Sequence, residues 1–154
     1  MTIDIDPRVV DGVVVVTANA FNLLIVAVML ARVRRLAWVE RAAGAVDLVL
    51  LVSVVAVVII NLAEGRPWWT VVLPLPLAGY LAVELTLDNV LHSEFRRTRL
   101  LGPYLLLFYA GQMAMVGYAF LVGRPQGFAT LATYFLSLGA TWFSYTRVGH
   151  GVGS

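Results

Sequence analysis

Five stretches of about twenty apolar residues, separated by short charged connections, dictate what this chain can become. They read "GVVVVTANAFNLLIVAVMLA" (12–31), "AVDLVLLVSVVAVVIINL" (45–62), "TVVLPLPLAGYLAVELTLDNVL" (70–91), "LLGPYLLLFYAGQMAMVGYAFLV" (100–122) and "FATLATYFLSLGATWFSY" (128–145). A hydrocarbon layer roughly 30 Å thick is crossed by about 20 residues of helix rising about 1.5 Å each. The first two runs are rich in valine, yet none alternates between apolar and polar as a membrane β-strand must, so helices are predicted throughout. With 60% hydrophobic residues in 154 and a mean hydropathy of +0.87, one soluble core could not bury this surface. The expected fold is an all-α bundle of five transmembrane helices in one domain, residues 1–154, with the lipid bilayer as its main partner.

Charge sets the expected orientation. Arg32, Arg34, Arg35 and Arg41 follow the first run, Arg96, Arg97 and Arg99 the third, and Arg147 the fifth; only Arg8, Arg66 and Arg124 fall on the other side. Cytoplasmic loops retain arginine, so the N-terminus is expected outside and the C-terminus in the cytoplasm of a multi-pass cell-membrane protein. Trp38, Trp68, Trp69 and Trp142 lie near the proposed helix ends, where an indole buries its ring and keeps its N–H in the head-group layer. Asp4, Asp6 and Asp11 make the start acidic, unlike the basic opening of a secretory signal, so the first helix reads as retained. All 11 basic side chains are arginine; they suit phosphate head groups, and no nucleic-acid partner is needed to explain a pI near 9.3. The absence of cysteine excludes disulfides, thiolate metal sites and dithiol redox chemistry.

The third run carries the unusual chemistry. Pro74 and Pro76 interrupt its outer half and predict a kink near residues 70–76. Tyr80, Glu84, Asp88 and His92 then recur every four residues and share a helical face. Counted from Thr70, Glu84 lies about 21 Å into the layer, where an ionised carboxylate is costly and is usually retained for function. Asp47, Tyr104 and Tyr145 fall at a comparable depth on other helices. Two readings compete for this stripe: a cytoplasm-facing cavity that takes a proton or ligand at Glu84, Asp88, Asp47 and His92, or a solvated helix end with Glu84 paired inside the bundle. Glu84, Asp88 and His92 span about 12 Å of helix rise, too far apart to hold one small ion together, so no metal site is assigned. No cofactor is indicated.

Asn19, Asn22, Gln112, Thr130, Thr133, Ser137, Thr141 and Ser144 read as interhelical hydrogen-bond material, and Ala110, Ala114 and Gly117 as a close-packing stripe. Familiar hydrolase, nucleotide-binding and metalloprotease motifs are absent. The leading expectation is a small membrane binding or transport component. An alternative is a membrane-embedded enzyme acting on a lipid or isoprenoid, with Arg96, Arg97 and Arg99 holding a phosphate; another is a structural subunit of a larger complex. Homo-oligomerisation is compatible with each.

Overall fold

The computed structural model describes residues 5–87, 99 and 101–148, which are all-helical, with no strand among them. Among the described residues six helices form: α1 (Pro7–Arg34), α2 (Ala37–Ala63), α3 (Trp68–Val72), α4 (Leu75–Thr86), α5 (Leu101–Val122) and α6 (Arg124–Val148). Neighbours around the bundle are α1–α2–α4–α5–α6, and α6 closes back on α1 while α1 also touches α5. Among the described residues four spans are long and apolar enough to cross a membrane: α1, α2, the α3–α4 pair over Trp68–Thr86, and α5. Helix α6, at 25 residues, has the length but less apolarity. The reason is its inward face, where Thr130, Ser137 and Ser144 are buried, while Phe128, Phe135, Leu136 and Trp142 point outward.

Unlike a water-soluble bundle, this one is apolar on its outside as well as in its core. Large apolar side chains on the outside, such as Val16 at 68%, Val49 at 63% and Leu106 at 72% exposed, would be ruinous in water and are ordinary against acyl chains. Inside, Val10, Val14, Ala18 and Phe21 of α1 meet Leu50, Val54 and Val57 of α2, Leu77, Tyr80 and Leu81 of α4, and Met115 and Tyr118 of α5. The protein is therefore a multi-pass helical membrane bundle.

Helices extend beyond the apolar runs because the flanking polar residues sustain helical hydrogen bonding where water or head groups are available. Asp6 caps α1 by accepting from the Arg8 amide at 2.9 Å, and Pro7 occupies the first turn, where its missing N–H costs nothing. The long charged connection expected between the first two helices shrinks to Arg35 and Leu36. Arg35 adopts the left-handed conformation (φ 56°), and the Leu36 amide returns to the Ala31 carbonyl at 2.9 Å. Arg32 Nε then reaches Glu40 Oε1 at 3.0 Å across the turn. The predicted kink appears as a break: α3 stops at Val72, and α4 restarts with Pro74 as its cap and Pro76 in its first turn.

Gly111 lets α5 lie against the backbone of α4. A Cβ there would sit 3.1 Å from Leu77 Cα and 3.2 Å from Leu77 N, and backbone cannot swing aside as a side-chain tip can. Gly111→Ala is expected to destabilise the bundle by about 1–3 kcal/mol through overpacking. Gly139→Ala, where the added methyl meets nothing within 4 Å, should leave stability unchanged or slightly raised. Unfolding in mild detergent checks the pair; equal effects would refute the close approach.

Candidate functional site

Three clusters of polar side chains occur at three levels of the bundle. The first lies at the Glu84 end. Tyr80 and Glu84 are one turn apart on α4, and Tyr104 projects from the first turn of α5. The Tyr104 hydroxyl donates to Glu84 Oε2. With its proton so engaged, Tyr104 accepts from Tyr80, whose hydroxyl lies 2.9 Å away, and the polar file runs Tyr80 to Tyr104 to Glu84. Phe108 and Phe21 pack on the Tyr80 ring at 5.0 and 5.7 Å between centroids, sealing the file's inner end with apolar surface.

On its other side Glu84 borders a groove of about 430 Å³ between α2 and α4, lined by Ala37, Glu40, Arg41, Gly44, Asp47, Glu84 and Leu85. Helical spacing explains the α2 contribution, since residues 37, 40, 41, 44 and 47 fall on one face. Among the described residues, three carboxylates and one guanidinium line the groove, and one of the carboxylates, Glu40, is already paired with Arg32 at 3.0 Å. Asp47 and Glu84, expected at similar depth, border the same groove. Tyr145 is exposed near the end of α6, and Arg99 is exposed before α5. Asp88, His92, Arg96 and Arg97 lie outside the described residues.

The second cluster sits midway along the helices. Asn19 Nδ2 donates to Thr130 Oγ1 and Asn22 Nδ2 to Thr133 Oγ1, each at 3.0 Å. Three steps along α1 match three along α6, so the two helices run parallel in register. Thr133 Oγ1 donates back to Asn19 Oδ1 at 2.8 Å, and Gln112 joins from α5.

The third cluster, at the opposite end from Glu84, was not recognisable as a unit in the sequence. Gly65 at φ 61° and the Arg66 amide bonded to the Asn61 carbonyl at 3.0 Å close α2 in a Schellman turn. That turn aims Arg66 inward. Its Nη2 holds both Asp11 oxygens at 2.9 and 3.0 Å, and its Nη1 donates to Asn61 Oδ1 at 2.9 Å. Tyr118 of α5 also donates to Asp11 Oδ1 at 2.7 Å, and Asn61 Nδ2 reaches the Thr70 carbonyl at 2.9 Å. The visible signals were a glycine–arginine–proline helix stop and an acid before an apolar run, but a 55-residue separation conceals their pairing.

No protein-family model, curated protein or solved structure matches the chain.

The Asp11–Arg66 pair has side chains only 17% and 11% exposed, so removing one partner strands the other. Arg66→Met or Asp11→Asn alone is expected to cost about 3 kcal/mol, and the double variant markedly less than the sum. A double-mutant unfolding cycle in detergent checks this; additive losses would contradict a coupled pair.

Proposed function

We propose that this protein is a small binding or transport component of the cell membrane that takes up a proton, or a small cation in its place, at the Glu84–Asp47 groove. The observation that carries the reading is the Tyr80–Tyr104–Glu84 hydroxyl file ending at a carboxylate on a groove that Asp47 also lines. Glu84 is the acceptor, because an ionisable side chain within an apolar span is costly to place there and is usually retained for function. Tyr104 holds that carboxylate in one orientation and passes hydrogen-bond polarity on to Tyr80. Asp47, which lines the same groove, is the second carboxylate of the proposed site. The excess of arginine on this side supports a cytoplasm-facing opening. Arg41 on the groove wall offsets part of the charge and keeps the site from being an indiscriminate cation sink.

Proteoliposomes loaded with a pH-sensitive dye, with a potassium gradient and valinomycin setting the potential, test the reading. Proton flux through the wild type should exceed that of protein-free liposomes, fall to that background in Glu84→Gln, and slow in Tyr104→Phe. Wild-type flux at background, or a Glu84→Gln variant as fast as the wild type, would overturn it.

A further inference from the structure

The mid-bundle cluster contains an imbalance that its own side chains do not resolve. Gln112 is 2% exposed and lies near the midpoint of α5. Both its amide hydrogens are used, one toward Asn22 Oδ1 at 3.1 Å and the other toward Ser137 Oγ at 3.2 Å. Its Oε1 is buried without a hydrogen-bond partner among the described residues.

Turning the amide over does not remove the problem. Oε1 would then face Asn22 Oδ1, an acceptor, and Ser137, whose hydroxyl proton already goes to the Tyr134 carbonyl at 2.7 Å. Asn22 cannot turn with it without cost, because its Nδ2 serves Thr133 Oγ1 at 3.0 Å and the Thr130 carbonyl at 3.5 Å, and an oxygen there would oppose that carbonyl. Even with both amides turned, Gln112 Nε2 takes the place of Oε1 as the unpartnered atom. Each arrangement strands one polar atom of Gln112, in a setting where lipid supplies no substitute and a stranded buried group is expensive.

We propose that Gln112 and Asn22 form a binding site for one water molecule at the centre of the bundle. The water donates one hydrogen to Gln112 Oε1 and the other to the second lone pair of Asn22 Oδ1. Buried waters are characteristically held in this way, by two to four polar groups that otherwise lack partners. Such a water completes the joint by which the most polar helix, α6, is seated on α1 and α5, and makes that joint exchangeable with solvent. The site is independent of the Glu84 groove.

The sequence allows a direct test, since its only glutamines are Gln112 and Gln126, the latter exposed in the first turn of α6. Protein labelled with nitrogen-15 at glutamine, in lipid bilayers, gives two side-chain amide signals, assigned by Gln126→Ala. Magnetisation transferred from water should reach the buried Gln112 amide on the timescale seen for Gln126. It should persist in Ser137→Ala, which removes the nearest hydroxyl that could relay it. Transfer confined to Gln126, or lost from Gln112 in Ser137→Ala, would overturn the proposal.

Discussion

Within the apolar layer a polar side chain must find its hydrogen-bond partner on another part of the protein, and the bundle is organised around that requirement. The hydrophobic effect does not drive the helices together as it does in water, because acyl chains solvate valine and leucine about as well as a neighbouring helix does, so close packing and hydrogen bonds must select the arrangement. Polar groups distinguish the arrangements. Asn19 and Asn22 set the register of α1 against α6, Gln112 ties α5 to both, and Asp11 joins the Schellman turn after α2 to α5 through Arg66 and Tyr118. Close backbone contact at Gly111 then brings α5 against α4, which places Tyr104 within reach of Glu84.

The two ends of the bundle hold their carboxylates through different described partners. At the Arg66 end, the carboxylate of Asp11 is met by a guanidinium and a phenol, so its charge is neutralised on the spot and the surrounding elements are clamped together. At the Glu84 end, phenol hydroxyls stand on one side and an acidic groove on the other. The described partners of the two acids thus differ: a guanidinium and a phenol at Asp11, and a phenol at Glu84.

Much of the architecture was readable from residues in isolation. Twenty apolar residues in a row admit few structures, and Pro74 with Pro76 announced an interruption that appears as the gap between α3 and α4. Less readable was where helices end, since arginine, alanine and glutamate after the first run are good helix formers and shorten the turn to two residues. The lower apolarity of α6 has meaning only once its threonines and serines are seen facing α1 and α5. Glu84 was conspicuous as a charge in an apolar run, and Tyr104 and Asp47 were suggested by depth. The Asp11–Arg66 pair was hidden because neither residue is unusual where it stands. Asp88 and His92, expected on the same stripe, lie outside the described residues.

The most direct test of the central claim, that an acidic groove beside Glu84 opens to water on the arginine-rich side of the membrane, uses the absence of native cysteine. Gly44 lines the groove, and an added Cβ there meets nothing within 4 Å, so a single Gly44→Cys replacement fits without disturbance. A membrane-impermeant maleimide should label it in inside-out vesicles and leave it unmodified in right-side-out ones. Labelling only from the opposite side, or none from either side of a folded protein that labels fully once denatured, would contradict the account.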